Sequence, residues 1–143
     1  KLNIDIDDIE IACSDLIAVR NGAAEFLEGL KQKDLTICLA TNAHPRGLKR
    51  KLKQTGIGVF FDHIISSHDI GAPKESLRFW QAIKKEIPYK KCSTFLLDDN
   101  MNVLYTAQKF GIKHVYGIQR PNTKGAIHTS NDFELIDDYF SFL

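Results

Sequence analysis

The chain has 143 residues, 43% of them hydrophobic and 26% charged, which is the composition of one soluble globular domain with enough apolar residues for a sizeable core. Its formal net charge is +1, so no overall field favours a nucleic-acid polymer or a membrane surface as a partner. The three widely spaced cysteines argue against a disulfide framework or a zinc site, and no apolar run approaches the roughly 20 residues of a transmembrane helix, so we expect a cytoplasmic protein.

The first half of the chain alternates between helical and strand patterns. Residues 4–16 carry apolar side chains at near-helical spacing and predict a helix, although the Ile-Asp alternation at the start also permits a strand. Residues 23–33 predict a second helix, which ends in lysines. The short apolar run at residues 35–40 is typical of a strand buried on both faces, and residues 45–54 predict a basic helix that ends before Gly56.

The same alternation continues in the second half of the chain. Residues 63–66 predict a strand, residues 75–87 a helix bounded by prolines, and residues 93–97 another strand. The remaining pattern predicts a helix over residues 103–110, a strand over 114–118, a polar loop over 119–131 and a terminal helix over 132–143.

Strands that alternate with helices across short turns indicate an α/β fold, in which a mostly parallel sheet is covered by helices on both faces. In such sheets ligands gather beyond the carboxyl ends of the strands. The residues at those ends are therefore the first candidates for a functional site. They are Thr41 and Asn42, the loop of residues 66–74, Asp98 and Asp99, and Gln119 and Arg120.

Three of these strand ends carry the side chains that phosphoryl transfer requires. Thr41 can donate a hydrogen bond to a phosphoryl oxygen, and Lys74 can neutralise charge that develops there. Asp98 and Asp99 can hold a hard cation through their oxygens. A catalytic nucleophile is missing from this set.

The order and spacing of Thr41, Lys74 and the Asp98-Asp99 pair, each near the end of an apolar strand, resemble motifs II, III and IV of the haloacid dehalogenase-like (HAD) superfamily. The resemblance covers about residues 21–121 and implies a Rossmann-like three-layer sandwich that lacks the strand of motif I. In the family that motif reads DxDx[TV] and supplies the nucleophile. The DxD at residues 5–7 lacks the Thr or Val and the preceding apolar run, so we do not assign it as motif I.

Two segments resemble a narrower group within the superfamily, the bacterial GMP/IMP 5'-nucleotidases. They are Thr41-Asn42-Ala43-His44-Pro45 and Gly71-Ala72-Pro73-Lys74-Glu75. Proline before the motif III lysine and glutamate after it distinguish this group from the wider superfamily, in which proline more often follows the lysine.

The resemblance implies a role for each candidate residue. Asp99 would be a direct Mg²⁺ ligand with Asp98 as its inner-shell or outer-shell helper, and Thr41 and Lys74 would clamp the phosphate. Asn42 would contribute through its backbone amide. His44 and His68 lie in loops at the same rim and could contact a base or ribose, although a lone loop histidine is as often structural.

The resemblance also implies a domain organisation. Residues 1–20 would be the end of a helical cap domain and a linker, and residues 21–143 the C-terminal portion of the HAD-like core. The sequence begins at Lys1 without an initiator methionine, so we expect a preceding segment of the same polypeptide to carry the nucleophile. The motif I strand would lie between the strand that ends at Thr41 and the strand that ends at Asp98, so its absence would leave a gap.

Each candidate residue also has an ordinary structural explanation. Thr41 could cap the following helix, Lys74 could be a solvated surface lysine, and the two aspartates could favour the first turn of a helix. Trp80 lies at an apolar helical position, so core packing is expected there rather than base stacking. Only the joint placement of Thr41, Lys74 and the two aspartates at strand ends favours a functional site.

The sequence therefore predicts a magnesium-dependent phosphomonoesterase acting on a small phosphorylated metabolite, with GMP or IMP as the substrate that the resemblance implies. The chain alone, without the nucleophile, is expected to be inactive. One alternative is a non-catalytic HAD-like binding module that has lost motif I. Another is a different HAD hydrolase, namely a sugar-phosphate phosphatase, a phosphomutase or a dehalogenase, because fold alone does not fix the substrate.

Overall fold

The structure, a computed structural model, describes residues 12, 16–122, 125–137 and 139. These residues form two compact units that meet in the sequence between His68 and Asp69. The predicted helix over residues 4–16 lies almost entirely outside the described residues. The expected domain boundary near residue 20 therefore stays a prediction.

The first unit is built around two short parallel strands. Its elements are helix α1 (Ala23–Gln32), strand β1 (Cys38–Thr41), helix α2 (Pro45–Thr55), a 3₁₀ turn (Ile57–Phe60) and strand β2 (His63–Ser66). In the ladder, Cys38 is paired with His63 and Thr41 with Ser66, so the two strands end together. Both strand ends therefore lie at the same edge of this sheet.

Local signals in the sequence fix both ends of α2. Pro45 occupies the first turn, where its missing N–H costs nothing, and the His44 side chain accepts a hydrogen bond from the Arg46 N–H. Gly56 ends the helix with φ 71° and donates its N–H to the Leu52 carbonyl. The helix therefore begins directly after the candidate turn that follows β1.

Asp62 joins the end of α1 to the start of the first sheet. Its carboxylate accepts the Ile37 N–H at 2.7 Å and pairs with the Lys31 ammonium at 2.5 Å. The Ile37 hydrogen bond first, and the Lys31 interaction second, lower the pKa of Asp62 below its ordinary value of 3.8. The Asp62 and His63 N–H groups both donate to the Ile37 carbonyl, so the regular ladder starts only at Cys38.

The second unit contains a three-stranded parallel sheet in the order β3-β4-β5. A short helix, α3 (Ser67–Ile70), contains the boundary between the two units in the sequence. The elements that follow it are helix α4 (Leu77–Glu86), a 3₁₀ turn (Lys91–Ser93), strand β3 (Phe95–Asp98), helix α5 (Met101–Phe110), strand β4 (His114–Ile118) and strand β5 (Leu135–Ile136). Helix α5 packs on β3, β4 and α4. Its buried face and the neighbouring face of α4 form the core, which includes Phe79, Ile83, Val103, Leu104 and Ala107.

The predicted terminal helix over residues 132–143 is wrong for residues 132–137. Leu135 and Ile136 pair with Gly117 and Ile118 as a parallel strand instead. A Cβ on Gly117 would lie 2.4 Å from the Leu135 side chain, so the close approach of β5 requires glycine in β4. Phe133 and Ile136 are both buried, and this spacing of three resembles a helical pattern. Residues 138 and 140–143 lie outside the described residues.

The prediction of an α/β fold with parallel strands is confirmed, since all described strand pairs are parallel. The pairs form two sheets, and β1 and β3 belong to different ones. These are the strands that we expected on either side of the motif I strand. Among the helices of the described residues, none is long and apolar enough to cross a membrane.

Candidate active site

The candidate site of the second unit centres on a buried ion pair. Asp98 is the last residue of β3, and Lys74 lies in the loop that precedes α4. The Lys74 ammonium lies 2.5 Å from Asp98 Oδ2, and the two side chains are only 14% and 6% exposed. Breaking such a pair by removing one partner costs roughly 3–5 kcal/mol, because the other charge stays buried. Lys74 is therefore not the solvated surface lysine that its sequence position also allowed.

The two adjacent carboxylates of this site have different surroundings. Asp98 Oδ1 accepts the Asn100 N–H at 3.0 Å, so both oxygens of Asp98 are engaged. Asp99 is exposed, and within the described part of the chain its carboxylate has no hydrogen bond or ion pair. One carboxylate is thus fixed by the protein, whereas the other has its oxygens available to a ligand.

The backbone that carries Lys74 is anchored to the core by Trp80. The Trp80 indole Nε1–H donates to the Lys74 carbonyl at 2.8 Å. The indole is 4% exposed and meets Phe79 edge to face, with ring centroids 5.3 Å apart. The prediction that Trp80 packs in the core is confirmed, and this burial leaves its ring no face for a nucleotide base.

The candidate site of the first unit lies at the paired ends of β1 and β2. Thr41 Oγ1 accepts the Ala43 N–H at 3.0 Å, and His44 rather than Thr41 caps α2. The Thr41 hydroxyl hydrogen therefore stays available for donation to a ligand oxygen. Ser66, which is 1% exposed, donates its hydroxyl to the Ala43 carbonyl at 2.8 Å and so ties the turn to the end of β2.

The two candidate histidines lie beside each other at this edge. The His44 and His68 rings meet edge to face with centroids 5.0 Å apart, and both residues are exposed. His44 Nδ1 accepts the Arg46 N–H, so in the neutral ring the proton lies on Nε2, which is then a donor. Asn42 is exposed in the same turn. The first unit thus gathers Thr41, Asn42 and both imidazoles at one sheet edge.

The candidate residues are divided between the two units. Thr41, Asn42, His44 and His68 belong to the first unit. Lys74, Asp98 and Asp99 belong to the second. The convergence of Thr41 with Lys74 and Asp99 at one rim stays a prediction.

Three residues of these sites received no role from the sequence. Ser66 begins the candidate loop of residues 66–74, but only the ladder shows that it ends level with Thr41. Asp137 follows β5 and pairs with Arg120, Nε to Oδ1, at 3.0 Å. Asn100 caps α5 by accepting the Asn102 N–H, which its position after two aspartates could have suggested.

The donor set of Asp98 and Asp99 fits a magnesium ion. Mg²⁺ prefers oxygen ligands and is commonly held by one or two carboxylates, with waters and substrate phosphates completing its shell. The exposed carboxylate of Asp99 meets this requirement, with the fixed carboxylate of Asp98 beside it in the sequence. Among the described residues, no group of three or more His, Cys, Asp or Glu side chains gathers as a fuller metal site.

The chain belongs to the haloacid dehalogenase-like hydrolase family, whose model matches residues 3–111. It is 32% identical over 139 residues to the GMP/IMP nucleotidase YrfG of Escherichia coli (strain K12), a match that covers 97% of this chain and 63% of that protein. The chain thus spans 63% of the length of this curated relative.

Two solved structures show the same fold. The HAD-hydrolase YfnB from Bacillus subtilis, bound to magnesium, superposes with a TM-score of 0.74 at 19% identity, covering 86% of this chain and 54% of that one. L-2-haloacid dehalogenase from Xanthobacter autotrophicus superposes with a TM-score of 0.75 at 16% identity, covering 99% of this chain and 66% of that one. At these identities the two structures show the fold alone.

Proposed function

We propose that the protein containing this chain is a cytoplasmic, magnesium-dependent phosphomonoesterase that acts on purine nucleoside 5'-monophosphates, GMP and IMP. The observation that carries the proposal is the buried Lys74–Asp98 pair, followed in the sequence by the exposed carboxylate of Asp99. A buried ammonium held by one carboxylate can neutralise a phosphoryl group, while the exposed carboxylate of the next residue holds the cation. The similarity to a GMP/IMP nucleotidase supports the same class of reaction.

In this reaction an aspartate in the segment that precedes the chain attacks phosphorus. Its oxygen forms a bond to phosphorus as the ester bond to the nucleoside breaks, and a second upstream aspartate protonates the leaving alkoxide. Water then cleaves the aspartyl-phosphate, which releases phosphate and restores the carboxylate. The residues of this chain bind and orient the phosphoryl group.

Each candidate residue has one task in this scheme. Thr41 donates its hydroxyl hydrogen to a phosphoryl oxygen, with the Asn42 N–H beside it, and Lys74 neutralises the charge on the transferring group. Asp99 holds the cation, with Asp98 supporting it and orienting Lys74. Bound magnesium supplies positive charge and fixes the orientation of the phosphate.

The histidine pair supports a nucleotide substrate within this class. A phosphate clamp serves any phosphate ester, so discrimination requires contacts to the base or ribose. His44 and His68 provide two exposed imidazoles that meet each other in the segments following β1 and β2. Imidazole nitrogens can donate to or accept from the polar edges of a purine or the ribose hydroxyls.

We expect His44→Asn and His68→Ala to raise KM for GMP and IMP by ~2–10-fold each, the loss of one or two modest hydrogen bonds. Asparagine at residue 44 keeps the helix cap while removing the imidazole. Turnover of a generic aryl phosphate, which has no base or ribose, should not change. Steady-state kinetics on all three substrates in the parent protein measures the effect.

His63→Ala is the matched control, because His63 lies at the opposite end of β2. It should leave all three KM values unchanged. Equal losses on GMP and on the aryl phosphate would refute nucleotide recognition by the pair. If the wild-type protein hydrolyses only the aryl phosphate, the phosphatase class would stand, but GMP and IMP would be refuted as its substrates. Release of halide from a 2-haloacid would favour a dehalogenase instead, and no turnover of any substrate would favour a binding module.

A further inference from the structure

The loop that carries Lys74 is bonded to its surroundings at the lysine and at the residue that follows it. At the lysine, Trp80 Nε1–H donates to the Lys74 carbonyl. At the next residue, the Glu75 carbonyl accepts the Thr106 hydroxyl at 3.0 Å, and Glu75 Oε1 accepts the Asn100 side-chain amide at 2.9 Å. Bonds from α4, from α5 and from the turn after β3 thus converge on two consecutive residues.

Asn100 links this loop to the acidic turn after β3. Its N–H donates to Asp98 Oδ1, its Oδ1 caps α5 by accepting the Asn102 N–H, and its Nδ2 donates to Glu75. Lys74 in turn donates to Asp98 Oδ2. The four residues Lys74, Glu75, Asp98 and Asn100 therefore close a ring of hydrogen bonds in which loop and turn hold each other.

The ring of hydrogen bonds restricts the position of the Lys74 side chain, which is flexible by itself. A lysine side chain has four rotatable carbons and a point charge, so it does not hold a position by itself. Electrostatic catalysis requires the charge to be in place before the reaction, because reorganisation during it raises the barrier. Pairing with Asp98 fixes the ammonium end of Lys74. The bond from Trp80 to the Lys74 carbonyl, and the bond from Asn100 to the neighbouring Glu75 side chain, restrain the backbone end.

We propose that Asn100 is a positioning residue, which orients the Lys74 ammonium for phosphoryl transfer by tying the Lys74 loop, through Glu75, to the turn that carries Asp98 and Asp99. The catalytic part of this inference rests on the proposed phosphatase function. The structural part, that Asn100 fixes the loop, stands on the hydrogen bonds alone.

The substitution Asn100→Ser removes the side-chain hydrogen bond to Glu75 but keeps the cap of α5 and the backbone bond to Asp98. Serine caps a helix about as well as asparagine, and the backbone N–H to Asp98 is retained. The shorter hydroxyl lacks the reach of the amide to Glu75. Asn102→Ser is the matched control, because it makes the same chemical change two positions further on, where the described part of the chain gives the side chain no partner.

The experiment uses the parent protein and two readouts. The first is hydrogen exchange of the Trp80 indole N–H by NMR, assigned by its loss in Trp80→Phe, since this proton bonds directly to the Lys74 carbonyl. The second is the separation of kcat from KM on GMP. For Asn100→Ser we expect ~3–10-fold faster indole exchange and a ~3–10-fold lower kcat, with KM within about twofold, the scale of one hydrogen bond. Asn102→Ser should match the wild type in both.

Unchanged indole exchange in Asn100→Ser would overturn the structural part of the proposal. Faster exchange with an unchanged kcat would overturn the positioning role. Equal effects in Asn102→Ser would also overturn it, because they would place the cause in the first turn of α5. An inactive wild-type parent would refute the proposed function and with it the catalytic part, while the exchange comparison would still decide whether Asn100 fixes the loop.

Discussion

Replacing Asp99 with asparagine in the parent protein is expected to lower magnesium-dependent phosphate release on the order of 10³-fold, because stabilisation of the transferring phosphoryl group by the cation contributes several kcal/mol. The amide keeps the shape of the side chain but removes the negative charge that holds a hard cation. Asp99 has no hydrogen-bond or ion-pair partner in the described part of the chain, so the substitution breaks no such contact there. Initial rates at increasing magnesium concentration measure the effect.

Asp34→Asn is the control for this experiment. Asp34 is an exposed acid with φ 56°, a conformation that asparagine tolerates equally well, and it follows α1 away from the ends of β1 and β2. It should retain wild-type rates and wild-type magnesium dependence. Full activity of Asp99→Asn with an unchanged magnesium requirement would show that Asp99 does not hold the cation.

Replacing Lys74 with alanine is expected to lower kcat by roughly 10²–10³-fold, the usual cost of removing one preorganised electrostatic group from a transition state. Substrate binding should weaken as well, but less, because the lysine charge matters most as phosphoryl transfer proceeds. Burst or single-turnover kinetics on GMP separates the chemical step from binding and release. A raised KM with an unchanged kcat would contradict this role.

Measuring the stability of the Lys74 variants separates an effect on catalysis from an effect on folding. Lys74→Ala leaves Asp98 buried without its ion-pair partner, so we expect a loss of roughly 3–5 kcal/mol of stability. Adding Asp98→Ala should restore much of that stability, because no unpaired charge then stays buried, yet activity should stay low. Denaturant unfolding of both variants measures this, with the exposed Lys85→Ala as control. Recovery of activity in the double variant would mean that the Lys74 variant failed only by unfolding.

Several elements could be predicted to the residue because local signals determine them. Strands β2 and β4 match the predicted bounds. Helices α2 and α5 end directly before Gly56 and Gly111, which both adopt positive φ. The bounds of β1 could not be predicted in this way. It begins at Cys38 because its partner β2 begins at His63. Strand β5 likewise depends on Gly117 of another strand, which no local pattern reveals.

For the candidate site, likewise, the sequence predicted which residues to consider but not the contacts between them. The rule that ligands gather at the carboxyl ends of parallel strands selected Thr41, Lys74, Asp98 and Asp99 from the sequence. The rule could not show that Asp98 pairs with Lys74 or that the Asn100 amide reaches Glu75. Each contact joins residues about 25 positions apart, and a pattern read along the chain carries no such distance.

The central claim is that this chain supplies the phosphate clamp and cation ligands of a phosphatase whose nucleophile lies upstream. The most direct measurement compares phosphate release from GMP and IMP by the parent protein and by the chain alone, at matched magnesium and with EDTA controls. We predict magnesium-dependent release by the parent, its loss in EDTA, and no turnover by the chain alone. Steady turnover by the isolated chain, or release by the parent that survives EDTA, would contradict the account.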